Sequence, residues 1–100
     1  MTTPEMITAK NDLCRTTLVG CKVLITEGVA RSTDCEEIIS AVRLFNTFNE
    51  DNDPQGEHAF GAFDVRRVKY FRKFDYFDKN YEYFQEDELR VLTIMRAEEY

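Results

Sequence analysis

The stretch Val68-Lys69-Tyr70-Phe71-Arg72-Lys73-Phe74-Asp75-Tyr76-Phe77 decides the fold. It is rich in aromatic residues, which favour a pleated, half-buried backbone, and it predicts a strand. Phe60 to Val65 has the same character, so the two predict an antiparallel hairpin that turns near Arg66-Arg67. That turn lacks the Asn-Gly or Asp-Gly pair that most two-residue hairpin loops use. Because side chains alternate along a strand, Val68, Tyr70, Arg72, Phe74 and Tyr76 share one face. Lys69, Phe71, Lys73, Asp75 and Phe77 share the other. Aromatic rings therefore stand on both sides: one side can face helices, and the other carries rings towards solvent or a partner.

Upstream of the hairpin lie two helical segments with a strand between them. Thr3, Pro4 and Glu5 read as an N-cap, a proline at the first helical position and an acid at the positive end of the helix dipole. Met6, Ile7, Leu13, Cys14 and Leu18 then predict a helix from about residue 4 to 18, stopped by Gly20. Cys21 to Thr26 suits a half-buried strand that Gly28 closes. Thr33 and Glu36 have capping-box spacing, and Cys35, Ile38, Ile39, Val42, Phe45 and Phe48 recur at helical intervals, which predicts a core-facing amphipathic helix. Asn49 to Gln55 is a polar run of turn formers and reads as a surface loop.

Downstream, Tyr81 to Phe84 extends as a short edge strand. Glu86 to Tyr100 has three acids at its start, then Leu89, Leu92, Ile94, Met95 and Ala97, which predicts a C-terminal helix. Val91 to Met95 alone equally fits a buried strand, because a short apolar run does not distinguish the two. The whole is an α+β domain over residues 1–100, a small antiparallel sheet of three or four strands with helices packed on one face. At 100 residues there is no room for a second domain.

Composition narrows the function. Thirteen Lys and Arg against nineteen Asp and Glu give a net charge of −6, which opposes non-specific attachment to nucleic acid or to an anionic membrane. The longest apolar run is Val23-Leu24-Ile25, the N-terminus has no leader-like apolar region, and a cytoplasmic protein is expected. Cys14, Cys21 and Cys35 are odd in number and fit no zinc spacing, so reduced, buried thiols are expected.

Ten of the thirteen aromatic residues fall between Phe60 and Phe84. Arg66, Arg67, Lys69, Arg72 and Lys73 interleave with Tyr70 and Phe71, the pattern of a stacking platform for single-stranded nucleic acid. Asp75, Asp78, Glu82, Glu86, Asp87 and Glu88 follow at once and neutralise it locally, so no direct nucleic-acid binding is expected. Those same carboxylates can imitate the charge of a duplex and occupy a basic groove on a protein. The candidate partner-binding residues are Tyr70, Asp75, Tyr76, Asp78, Tyr81, Glu82, Tyr83, Glu86, Asp87 and Glu88, the carboxylates matching charge and the tyrosines anchoring. A second reading makes the chain a metal-dependent hydrolase or nuclease. Asp53, Glu57, His58, Asp75 and Asp78 would then hold a hard cation, with His58 as general base and Glu57 beside it. A third is a homodimer that pairs its exposed sheet with its own copy. No cofactor is implied.

Asn52-Asp53-Pro54-Gln55-Gly56-Glu57-His58-Ala59-Phe60-Gly61-Ala62-Phe63 resembles the central motif of a family of short proteobacterial proteins classed only as domain of unknown function 3768. Lys73-Phe74-Asp75-Tyr76-Phe77-Asp78 is similar to that family's Lys-Ile-Asp-Tyr-Tyr-Asp stretch, and Arg90-Val91-Leu92-Thr93-Ile94-Met95, followed by Glu99-Tyr100, to its C-terminal signature. Ala59 stands where the family usually has Asp, which weakens a metal site beside His58, and Arg72 stands where it usually has Trp. The resemblance implies a passenger of plasmids, phages and other mobile elements. By analogy with that setting, it implies an inhibitor of a bacterial immune nucleoprotein such as a CRISPR effector.

Overall fold

The computed structural model describes residues 4–48, 53, 56–77 and 89–100. Helix α1 (Pro4–Thr17) leads into strand β1 (Lys22–Ile25), a one-turn helix α2 (Glu27–Ala30) and helix α3 (Cys35–Leu44). Strands β2 (Phe60–Val65), β3 (Val68–Phe77) and β4 (Leu89–Arg96) follow, and a 3-10 turn (Ala97–Glu99) closes the chain. The strands form one sheet in the order β1-β4-β3-β2. The architecture is α+β.

The hairpin forms as its sequence requires. Phe60 pairs with Lys73 and Val65 with Val68, leaving Arg66 and Arg67 as a two-residue loop. Both sit at positive φ, +50° and +71°, the backbone that a two-residue hairpin needs and that Asn-Gly would supply without strain. Alternation along β3 also holds. Tyr70, Arg72, Phe74 and Tyr76 are buried, while Lys69, Phe71, Lys73, Asp75 and Phe77 on the opposite face are half-buried or exposed.

The C-terminal segment is a strand and not a helix, and it is the centre of the sheet. β4 runs antiparallel to β3, with Phe74 opposite Leu92, and parallel to β1, with Val23 opposite Leu92. The sheet is consequently mixed where an antiparallel one was expected. A central strand buries both faces: Leu92 and Ile94 are fully buried on one side, and Val91 and Met95 are nearly so on the other. Such a strand reads as an unbroken apolar run, which hides its period. The expected edge strand at Tyr81 to Phe84 lies outside the described residues.

Helices α1 and α3 cover the face that carries Leu92 and Ile94. Ile7 and Cys14 from α1, Val29 from α2, and Ile38 and Val42 from α3 join Tyr70, Phe74, Leu92 and Ile94 in the core. α3 ends at Leu44, short of the predicted helix, because Phe45 is extended (φ −60°, ψ 127°). Its carbonyl accepts from Arg15 Nη1, and Phe48 stacks on His58, so both rings are held beneath the helix end instead of along it.

Cys14 and Cys21 are joined by a disulfide, Cα atoms 6.0 Å apart, where reduced thiols were expected. Positive φ at Leu18 and Gly20 folds the chain back after α1 and brings the two cysteines together, which an odd count alone does not reveal. Cys35 remains a free thiol. Among the described residues, no helix is long and apolar enough to cross a membrane.

The C-terminus is tied to the start of α2 by one carboxylate. Glu99 Oε1 accepts from Thr26 Oγ1 at 2.7 Å and from Arg96 N at 2.9 Å, and Oε2 accepts from Gly28 N at 3.0 Å. A Cβ on Gly28 would lie 2.6 Å from Glu99 Oε1, so the clasp needs glycine there. The Thr26 hydroxyl, and then the Arg96 amide, hold the Glu99 carboxyl below the usual carboxylate range. A depressed folded-state pKa stabilises above the unfolded value and loses that stabilisation as pH falls through the folded one. Glu99→Gln is therefore expected to lower Tm by a few degrees at neutral pH. The gap from the parent should close as pH drops below about 4. Thermal unfolding from neutral to acid pH checks this, and a gap that persists in acid would refute it.

Candidate functional site

The face of the sheet under α1 holds more polar groups than a core of this size needs. Asn11 lies on the inner face of α1, one turn from Ile7 and from Arg15, and is fully buried. Its Nδ2 donates to Tyr76 Oη at 2.9 Å and to the Glu57 carbonyl at 3.0 Å, and its Oδ1 accepts from Arg90 Nε at 3.0 Å. Both amide hydrogens and the carbonyl are used, which is the condition for burying an asparagine without penalty. One side chain thus joins α1, the loop before β2, β3 and β4.

Next to it, Asp12 gathers two cationic or polar partners. Arg15 Nε donates to Asp12 Oδ1 at 2.9 Å, and His58 Nδ1 lies 2.9 Å from the same oxygen. A carboxylate only accepts, so Nδ1 carries the proton. His58 Nε2 stands 3.6 Å from Asp53 Oδ2, while the His58 amide donates to Asp53 Oδ1 at 3.0 Å. The imidazole stacks on Phe48 at 3.8 Å with the planes 3° apart. His58 takes a positive φ of +56°, uncommon for a residue with a Cβ. Its position is fixed by two carboxylates and a ring.

Arg72 reaches the same place from β3. It is fully buried, and its Nη1 donates to the His58 carbonyl at 2.7 Å. Among the described residues, Nε and Nη2 have no hydrogen-bond partner. Its Cζ lies 5.3 Å and 5.2 Å from the centroids of Phe45 and Phe48, within the range where an aromatic face attracts a cation. Gly61, opposite Arg72 in the register, makes the space: a Cβ there would come within 3.0 Å of Arg72 Nε and of the Phe45 ring. Burial first, and then repulsion from Arg15, lower the Arg72 guanidinium to about 10.

The predicted site residues divide. Asp53 and His58 meet, and Asp12, Arg15 and Asn11 join them from the predicted helix α1, whose polar residues the sequence reading leaves unassigned. Asn11 stands at the fourth residue after Ile7 and three before Cys14, a polar residue on an apolar stripe, and that was the available clue. Glu57 contributes its backbone carbonyl to Asn11. Asp75 is on the opposite face of the sheet from Arg72 and pairs with Lys73 at 2.9 Å, so it does not join His58 in a cation site. Among the described residues, no three His, Cys, Asp or Glu side chains converge as metal ligands.

Tyr70 and Tyr76, expected as exposed anchors, are 2% and 6% exposed and belong to the core. Their face is the one the helices cover, and Tyr76 places its hydroxyl on Asn11 inside it. Asp78, Tyr81, Glu82, Tyr83, Glu86, Asp87 and Glu88 lie outside the described residues. Among the described residues the large apolar side chains that reach the surface are others: Met6 and Leu13 on α1, Val19 after it, Leu24 and Ile25 on β1, Leu44 at the end of α3, and Tyr100. Leu44 borders a groove of about 440 Å³ between α1 and α3, with Thr16, Ser40 and Arg43.

The loop that carries Asp53 and His58, the hairpin with Arg72, and β4 with its 3-10 turn all fall in one matched span, residues 25–99, of the family described as Protein of unknown function (DUF3768). The chain belongs to that family. Helix α1, which supplies Asn11, Asp12 and Arg15, lies before the matched span. Neither the curated proteins nor the solved structures hold a match to the chain.

Arg72 gives this network a pH signature. Its folded-state pKa is lowered to about 10, below its value in the unfolded chain. The unfolded chain therefore binds more protons between those values, and stability gains as pH rises through that window. Below it, the full cost of a buried charge is present. Replacing such a charge with an apolar side chain of similar length is often neutral or stabilising. Arg72→Met is expected to be at least as stable as the parent at pH 7, with the difference shifting in the parent's favour as pH rises to about 11. Denaturant unfolding of both proteins across that range checks it. A difference independent of pH would show that Arg72 is not a desolvated cation.

Proposed function

We propose that the protein is a non-enzymatic binding protein that attaches to a basic, nucleic-acid-handling surface of another protein. The inhibitor of a bacterial immune nucleoprotein implied by the family resemblance is the specific form of that reading. The observation that carries it is the placement of charge. Three of the thirteen cationic side chains, Arg15, Arg72 and Arg90, are buried, with Asp12 and Asp53 drawn in beside them. Among the described residues nine cations and ten acids stand outside that network, and the sequence adds seven acids and one lysine beyond the described residues. The described surface cations are largely matched already. Arg31 pairs with Glu27, Arg66 with Asp34 and Glu37, Lys73 with Asp75, and Arg96 with Glu98. The remaining negative charge supports attraction to a basic groove by long-range steering.

The reading predicts salt-sensitive capture of a nucleic-acid-handling partner. Immobilised protein should retain such a partner from host lysate at about 0.05 M salt and release it at about 0.5 M, where the Debye length is only a few ångströms. Added nucleic acid should compete, and the Asp87→Lys and Glu88→Lys double variant should associate more slowly while remaining folded. Capture that is indifferent to salt, to competitor and to charge reversal would overturn it.

A hydrolytic reading draws support from one observation. Asp12 holds Nδ1–H of His58, which directs the ring's proton-accepting capacity to Nε2, the arrangement a general base uses. It predicts turnover of a generic phosphodiester or ester that His58→Ala reduces by 10²-fold or more, the contribution typical of a general base. Turnover equal in parent and variant would dismiss it.

A further inference from the structure

The five cations between residues 66 and 73 look like one patch in the sequence, and the fold separates them. Arg66 reaches α3, where hydrogen bonds to Glu37 and then Asp34 raise its guanidinium further. Arg72 is buried, and Lys73 pairs with Asp75. Arg67 and Lys69 remain. With Arg96 from the end of β4, and with Val68, Ala97 and Glu98, they line a cavity of about 300 Å³ at the turn end of the sheet.

Three cations and one acid therefore face a single cavity on a chain whose net charge is −6. Their existing partners are few. Glu98 lies 3.0 Å from Arg96 Nε, and Asp64 is 3.8 Å from Lys69 Nζ, a long pair on an exposed surface. Arg67 makes no ion pair or hydrogen bond among the described residues. It also stands at φ +71°, next to Arg66 at +50°, in a turn that asparagine or glycine would fill without strain. Arg66 is explained by its two acids on α3. Among the described residues nothing explains Arg67, and residues in strained backbone gather where a ligand is held.

The geometry points to a site for a phosphate group in this cavity. Two guanidinium forks and one ammonium suit a dianion with several acceptor oxygens, since each fork offers parallel N–H donors. The volume lies at the lower end of the range for small-molecule sites, larger than a bare ion needs. The ligand class is a phosphate monoester or inorganic phosphate, and the partner-binding reading above does not depend on it.

The full-length protein is titrated with sodium phosphate, and with a nucleoside monophosphate, at ionic strength held constant with chloride, while amide shifts of residues 67–69 and 96–98 are followed. Saturable shifts are expected. The double variant Arg67→Asn and Lys69→Gln should weaken binding about tenfold or more, as the loss of charge-assisted hydrogen bonds predicts. Asparagine tolerates positive φ, so the turn survives, and an unchanged far-ultraviolet circular dichroism spectrum confirms it. Tighter binding of the monophosphate identifies an esterified ligand, and equal binding identifies free phosphate. Absence of saturation in the parent, or equal affinity in the folded double variant, overturns the site.

Discussion

A guanidinium without water is the constraint around which this domain is organised. Arg72 occupies the middle of the helix-covered face, where alternation along β3 had to place it once Tyr70, Phe74 and Tyr76 turned inward. A charge there is costly unless its surroundings answer it. The answers come from separate elements: the His58 carbonyl, the rings of Phe45 and Phe48, and an absent side chain at Gly61. Each explains a local irregularity. α3 stops at Leu44 because Phe45 and Phe48 are needed beneath it, and the chain before β2 is bent tightly enough at His58 to point a carbonyl at the arginine.

The second buried node, Asn11, does for position what Arg72 does for charge. An asparagine with both amide hydrogens and its carbonyl engaged cannot slide along its neighbours, so α1 has one register against the sheet. That register brings Asp12 to His58 and Arg15 to the Phe45 carbonyl. A histidine held this firmly serves equally well as a strut for the loop or as an oriented base. The charge it keeps company with explains why the binding reading leads: the interior takes in three arginines and only two aspartates.

The hairpin could be read directly from residues, since β-favouring aromatics and a two-sided alternation agree, and Phe60–Val65 and Val68–Phe77 match the predicted bounds. α1 was equally readable from its proline and stripe. β4 was not, because a strand buried on both faces has no alternation to see, and the acids before Leu89 imitate a helix start. The mixed sheet followed from that error. Asp53 and His58 were found as a pair because they are close in sequence. Asp12 and Arg15 were not, because nothing local connects position 12 to position 58. Tyr70 and Tyr76 were assigned to solvent on composition, although their shared parity with Phe74 already placed them inside.

The family's matched span begins at the last residue of β1 and so omits α1, yet in this chain α1 cannot be an ornament. It contributes Ile7 and Cys14 to the core above Ile38, Val42 and Leu92, and it supplies Asn11 to Arg90 and Asp12 to His58. Remove it and Arg90 and His58 each lose a hydrogen-bond partner while several apolar side chains meet water. The buried Arg90 is thus bound in part by a segment outside the shared motif. The motif supplies the loop and the sheet. The helix before it determines whether those polar groups form an interior network or an open, charged face.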